Sequence, residues 1–317
     1  MKKALRFFLY WRNWLALLLT AGLIGLAAAA PYLAPQEDPE NPQLFKQLGK
    51  GFDKTPHPPT AESPLGTLPG ELDVYFTLVW GLRQALQFGL SVTLITGAFG
   101  VLYGASSGYL GGLTNNVLMR IADAFLAFPV LPAIIFVRQI IGSLMQQTGA
   151  VLSIIGGWYV PDSFTEFQQA LLNLDPVMWS LILLSWMPYA RLVNAGVLRL
   201  RNTEYIQASR ALGAGHARII LRHLLPNSIS PAVVLAARDI GGMVILQATF
   251  AFIQVGGNSP WGEMLSIGRN WIIGPGGNPL VYWWTYLPTI VLLVIFGVTW
   301  SLMGDLLNDW LNPRQVI

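Results

Sequence analysis

The residues best equipped for chemistry in this 317-residue chain are arginines, and they cluster. Arg191, Arg199 and Arg201 lead into the stretch Glu204–Pro231, EYIQASRALGAGHARIILRHLLPNSISP. Arg210, Arg218 and Arg222 lie within it, and Arg238 follows. So cationic a segment belongs in water or at a lipid headgroup surface. On a helix, Arg218 and Arg222 fall one turn apart and make a basic stripe, with Ile220 and Leu224 as an apolar one. A helix with such faces lies on headgroups or fills a groove in a partner protein. A solvated basic face without a partner is the third reading. The rest of the chain offers little reactive chemistry. It has no cysteine, which removes thiolate nucleophiles, disulfides and Cys-based metal sites together. Its histidines are His57, His216 and His223, none within a long apolar run. No G-x-x-x-x-G-K-[ST] phosphate loop occurs. A net charge of +3 does not imply nucleic-acid binding.

What positions the cationic segment is a strongly apolar frame. Hydrophobic residues make up 53% of the chain and charged residues 11%, against roughly 25% charged in soluble domains. Several runs approach the ~20 apolar residues needed to cross a bilayer. The expected class is all-α, a polytopic membrane protein of about six transmembrane helices. The first 34 residues carry Lys2, Lys3, Arg6 and Arg12 and then an apolar run to about Leu33, read as an uncleaved first helix. Residues 35–80 are crowded with proline and acidic residues, which prevents a continuous helix and predicts a polar external loop. Residues 81–310 form the transmembrane core, and 311–317 a cytoplasmic tail.

Within that core a second run, from about Leu86 to Tyr109, places Gly97, Gly100, Gly104 and Gly108 at three- and four-residue spacing. Small residues on one helix face let a neighbouring helix approach closely. A third run, Val117 to about Ile141, contains Pro129 and Pro132, which predict a bend where a helix lines a pathway. Residues 142–177 hold acidic residues but no lysine or arginine, as an external loop should. Their piece Thr148–Tyr159 is short for a span and reads as re-entrant or interfacial. A fourth run, Val177–Val197 with Pro188 inside, delivers the chain to a cytoplasmic loop at 199–228. A fifth run, Ile229–Val255, a Gly/Pro-rich external loop at 256–281 and a sixth run, Tyr282–Met303, complete six spans with both termini cytoplasmic.

Within the 199–228 loop, Asn202 is placed to cap a helix whose first turn holds Glu204. Gly213 and Gly215 interrupt the helical pattern, and a second helix is expected to run to Leu225 and stop at Pro226. The prediction is two short helices joined by a glycine hinge.

These residues carry a family resemblance. QASRALGAGHARIILRHLLPN resembles the E-A-A loop of ATP-binding-cassette importer permeases, at Gln207, Ala208 and Ser209, then Gly213, then Leu225 and Pro226. The flanking HLLPNSISP, SPLGTLPGELDVY, WGLR, WMPYARLV, SPWGEML and GDLLNDWLNPR resemble the dipeptide, oligopeptide and nickel permeases, in their C-type subunit. The resemblance covers about residues 60–140 and 180–314 and implies a type I importer permease fold in a bacterial inner membrane. It implies that Glu204–Leu225, with Arg210, Arg218 and Arg222, forms coupling helices seated in an ATPase subunit. It further implies a homologous second permease, two ATPase subunits that bind ATP and Mg, and an extracytoplasmic substrate-binding protein; this chain would bind no cofactor itself. The chain departs from the family at Gln207 and Gln247, where glutamate is usual, and at Gly70–Asp73, where the family has G-R-D. Pro129, Pro132, Pro188 and Gln247 are the expected pathway or hinge positions.

Two rival classes are weaker. An intramembrane enzyme needs a nucleophile and base, or metal ligands, at membrane depth. Here Asp123 and Asp239 sit near run ends beside Arg120 and Arg238, which reads as structural pairing. A channel or secondary transporter would place ionisable residues near the midplane or show an inverted repeat of broken helices. Neither pattern is evident, and the basic loop would then have no assigned purpose.

Overall fold

Proline and glycine set most of the element boundaries. The computed structural model describes residues 11–38, 42–127, 129, 131–137, 139–140, 143, 175–274 and 278–311. The re-entrant reading of 148–159, nearly all of the 142–177 loop and the tail beyond Leu311 lie outside the described residues.

After α1 (Trp11–Ala28) and the single turn α2 (Ala30–Leu33), the proline-rich stretch forms no long helix. It ends in a small antiparallel hairpin, β1 (Thr67–Leu68) against β2 (Leu72–Asp73), with Leu68 opposite Leu72. Gly70 and Glu71 take positive φ, 84° and 60°, to turn the chain between the strands. The Trp80 indole then donates to the Ala34 carbonyl at 2.8 Å and ties this cap to the helices.

The central element is α3 (Val74–Leu110), 37 residues long. At ~1.5 Å per residue it extends about 55 Å, well beyond a ~30 Å hydrocarbon core. It begins at Val74 rather than near Leu86, because the Asp73 carboxylate caps it by accepting the Tyr75 N–H at 2.9 Å. Gly111, at φ 65°, ends it. Then follow α4 (Gly112–Leu126) and α5 (Leu131–Val137), separated where Pro129 and Pro132 interrupt the expected third run. The fourth run is likewise two pieces, α6 (Pro176–Leu184) and α7 (Met187–Leu200), with Pro188 in the first turn of α7.

Past the cationic segment come α8 (Glu204–Ala211), α9 (His216–Ile219), a wide π-helical turn Ile220–Leu224 and α10 (Leu225–Ser228). The chain continues as α11 (Ser230–Phe252), α12 (Pro260–Gly268) and α13 (Leu287–Leu311). Among the described residues, five helical segments are long and apolar enough to cross a membrane: α1, α3, α6 with α7, α11 and α13. Counting α4 with α5 as one bent span gives six.

The glycine face of α3 packs on α7. A Cβ at Gly100 or Gly104 would collide with the Trp186 or Ala190 carbonyl oxygen, and one at Gly108 would meet Val197 at 3.1 Å. This backbone approach is the close contact that three- and four-residue glycine spacing predicts. A buried polar cluster locks the same seam. The Asn194 amide donates to Asn115 Oδ1 at 2.6 Å and to Ser107 Oγ at 3.2 Å, joining α7, α4 and α3. On its other sides α3 meets α11, and α11 meets α13 where Gly241 lies against Gly297. Val92, Leu181, Val244, Phe250 and Phe296 fill the shared core.

Candidate functional site

The segment from Glu204 to Ser228 folds as a helical pair, and the details differ from expectation at both ends. The first helix is capped by position at Thr203, not Asn202, and no side chain accepts from its first turn. The Thr203 hydroxyl instead donates back to the Leu200 carbonyl at 2.6 Å, an option that threonine has and that competes with capping. Asn202 contributes its carbonyl, which accepts from the Gln207 amide nitrogen at 3.0 Å. A glutamate at 207 has no proton to offer that carbonyl when ionised, so the glutamine makes a contact that an ionised glutamate there cannot.

The turn after α8 is a Schellman motif. Gly213 N–H bonds the Arg210 carbonyl at 2.9 Å and Ala214 N–H bonds the Ser209 carbonyl at 3.1 Å, with Gly213 at φ +79°. Gly213 alone needs the left-handed region. Gly215 has φ −66° with no atom near its missing Cβ, so its conformation is open to other residues. Ala208 and Ser209 stand on α8, with the Ser209 hydroxyl bonded to the Tyr205 carbonyl at 2.7 Å.

Pro226 was expected to stop the second helix, and the helix passes through it. A proline in a helix lacks an N–H and clashes with the carbonyl four residues back. Here the preceding turn widens: Leu225 N–H reaches the Ile220 carbonyl, an i to i+5 bond. The Asn227 and Ser228 side chains then bond the His223 and Leu224 carbonyls at 2.7 and 2.8 Å. The extra residue in the turn also shifts the apolar stripe. Ile219 and Leu224 are the fully buried residues rather than Ile220 with Leu224.

Ile206, Ile219 and Leu224 press against Val101, Ala105 and Tyr109 of α3 and Val193 and Val197 of α7. A polar clasp adds to this. The Tyr109 hydroxyl meets His216 Nδ1 at 2.8 Å, the Arg210 guanidinium lies 5.0 Å over the Tyr109 ring, and Arg201 donates to the Gly108 carbonyl at 3.3 Å. The opposite side of the segment is open. Glu204, Arg210, Arg218 and Arg222 are exposed, and with them Leu212 at 88% and Leu221 at 58%. A basic surface that carries two bare leucines, Leu212 in the turn after α8 and Leu221 in the π-helical turn, is suited to a complementary groove with an apolar floor. The two leucines carry no signal in the sequence, because which face of the segment is buried depends on its packing against α3 and α7.

The expected pathway residues are not brought together. Gln247 is buried in α11 at 2% exposed, Pro188 sits at the α6–α7 break, Pro129 lies in the gap between α4 and α5, and Pro132 in the first turn of α5, both exposed. The ionisable residues near span ends find partners on other helices rather than beside them in sequence. Asp123 pairs with Arg191 at 2.7 Å, Arg238 with Asp305, and Asp239 accepts from the Tyr189 hydroxyl at 2.7 Å. Neighbours one position apart on a helix, such as Arg238 and Asp239, point to different sides.

Comparison with known proteins assigns the family. Residues 100–317 match the family model described as binding-protein-dependent transport system inner membrane component. The nickel transport system permease protein NikC of Escherichia coli (strain K12) is 29% identical over 309 residues, 96% of this chain and 95% of that protein. The probable D,D-dipeptide transport system permease protein DdpC of the same strain is 30% identical over 260 residues, 81% of this chain and 75% of that one. The dipeptide transport system permease protein DppC of Alkalihalophilus pseudofirmus is 31% identical over 263 residues, 81% and 74%. The solved inward-facing MetNI methionine ABC transporter is more distant, at 22% identity and a TM-score of 0.42 over 71% of this chain. A matched model spanning well over half the chain, on an all-α frame of five to six spans, places this protein in the binding-protein-dependent transport system inner membrane component family: it is a membrane permease subunit of an ATP-driven importer, not an enzyme.

Proposed function

We propose that this chain is one of two homologous permease subunits lining a translocation pathway, and that Glu204–Pro226 is the element through which ATPase subunits drive it. The observation that carries this reading is the two-sidedness of the segment: Ile206, Ile219 and Leu224 buried against α3 and α7, and Leu212, Arg218, Leu221 and Arg222 facing out. A lever must be rigidly joined to the spans and still present a surface to a partner. The Tyr109–His216 bond and the close α3–α7 packing supply the first requirement. Two ATPase subunits would bind ATP and Mg, since this chain has no phosphate loop, and an external binding protein would deliver cargo. Both termini then face the cytoplasm, as the basic residues of the N-terminus and of the 199–228 loop favour. Pro188, at the break between α6 and α7, and the Pro129–Pro132 gap are the hinge positions in this reading. Relatives named for nickel, D,D-dipeptide and dipeptide transport support a cargo of peptides or related small solutes.

The test is charge reversal at Arg218 together with Arg222, and separately Gly213→Asp, in the assembled complex. Membrane insertion should stay intact while substrate-stimulated ATP hydrolysis and uptake are lost. Full stimulation and uptake in both variants would remove the lever assignment.

A further inference from the structure

At the end of α11 farthest from the cationic segment lies a cavity of about 630 Å³, within the ~300–1,000 Å³ typical of small-molecule sites. Phe45 and Leu72 from the proline-rich stretch, Gln254 from the turn after α11, and Glu263, Ser266 and Ile267 from α12 form its walls. Three polar groups in it are unaccounted for by the fold. Glu263 is accessible, and its carboxylate has no ion pair or hydrogen bond among the described residues. The surrounding protein strips hydration from that carboxyl and holds its pKa above the ordinary glutamate range. Ser266 is 5% exposed, and its hydroxyl has no partner among the described residues. Gln254 occupies the left-handed region, φ +58°, at a helix end where glycine is ordinary. Its N–H bonds the Ala251 carbonyl and that of Val255 bonds the Phe250 carbonyl, so a glycine would serve the turn without strain, and here an amide side chain stands at the cavity instead.

A partly desolvated carboxylate without a cation is most favourably matched by a cationic ligand group. The Gln254 amide oxygen and the Ser266 hydroxyl add acceptors for N–H donors. Phe45, Leu72 and Ile267 offer apolar wall for a hydrocarbon side chain. A single carboxylate with one amide and one hydroxyl is a poor set for a transition-metal ion, which favours imidazole or thiolate ligands. We propose that this cavity receives a small organic solute by its primary ammonium group, with Glu263 as counter-ion. The inference rests on the reading of the chain as a permease for peptides or related solutes, but not on the coupling element.

The assembled transporter, both permeases with their ATPase subunits in lipid nanodiscs and without binding protein, would be dialysed against radiolabelled alanyl-phenylalanine or its N-acetyl derivative. The free dipeptide should be retained, and acetylation of its amine should weaken retention at least tenfold in the wild-type complex. Glu263→Gln should weaken retention of the free dipeptide by a similar factor, and Ser266→Ala by a smaller one. Equal retention of the acetylated peptide, unchanged binding by Glu263→Gln, or no binding by the wild type would each overturn the proposal. The acetylated arm uses unaltered protein, so misfolding of a variant cannot mimic the expected result. ATP hydrolysis, measured after binding protein is added to the same complexes, keeps the two readings apart. Normal stimulation by the binding protein with no cavity binding discards the cavity alone, whereas lost stimulation in the Arg218–Arg222 variant with normal cavity binding leaves both readings standing.

Discussion

The turns that close α8 and α11 share one backbone geometry and hold different residues. Gly213 sits at φ +79° and Gln254 at φ +58°, each with the paired Schellman hydrogen bonds of a helix end. Around Gly213 nothing lies within 4 Å of a would-be Cβ, so the glycine answers to the backbone alone. On that exposed side the turn is a joint between two short helices, and a side chain would add strain without adding a contact. Gln254 accepts the strain, about 1–2 kcal/mol for a residue with a Cβ in this region, and brings an amide to a cavity. One end of the α11 region is thus a convex cationic surface and the other a concave site with a carboxylate. Between them lies a rigid middle, where α3, α7 and α11 meet backbone to backbone.

Breaking the middle should have the largest effect. Gly104→Leu would drive a side chain into the Ala190 carbonyl and part α3 from α7. Overpacking of this kind costs about 1–3 kcal/mol or more, and assembled complex should be lost on size-exclusion chromatography together with both functions. Retention of solute binding with loss of ATPase stimulation would show that the two ends do not share a frame. Next in size is Gly213→Val, which places a β-branched residue at φ +79°. It should cost about 1–2 kcal/mol locally and lower ATPase stimulation about tenfold, while dipeptide retention at the far cavity stays at the wild-type level.

Tyr109→Phe removes the hydroxyl from His216 and leaves the ring under Arg210. A hydrogen bond of this type contributes about 0.5–1.5 kcal/mol, so stimulation of ATP hydrolysis by the binding protein should fall severalfold at most. The smallest change is expected for Gln254→Gly. Relief of left-handed strain is offset by the greater unfolded-state freedom of glycine, ~0.5–1 kcal/mol, so the thermal unfolding midpoint should rise slightly or hold. Dipeptide retention should weaken in the same variant, and a full-strength site would show that the strained glutamine has no part in it.

The helical frame was largely legible before the structure. Gly97, Gly100, Gly104 and Gly108 announced a close helix neighbour because small-residue spacing is a local property of one helix. The cationic segment stood out because arginines are scarce in an apolar chain. Partners in three dimensions were less legible. Asp123 was read beside Arg120 and Asp239 beside Arg238, but Asp123 pairs with Arg191 and Arg238 with Asp305. Such choices depend on how helices cross, which spacing along one helix does not report. Pro226 was read as a stop, since that is the ordinary outcome, and the π turn before it depends on tertiary packing of Ile219 and Leu224.

By itself, then, the sequence determined the membrane class, the order of the apolar runs and the place of one basic element among them, because hydropathy, glycine spacing and charge are carried by contiguous residues. Only the tertiary structure decided which face of that element is buried, which leucines remain bare and where the cavity lies. Phe45 and Leu72 are far in the chain from Gln254 and Glu263, and no local rule relates the two pairs until α3, α11 and α12 pack and bring the proline-rich cap against the turn that Gln254 makes.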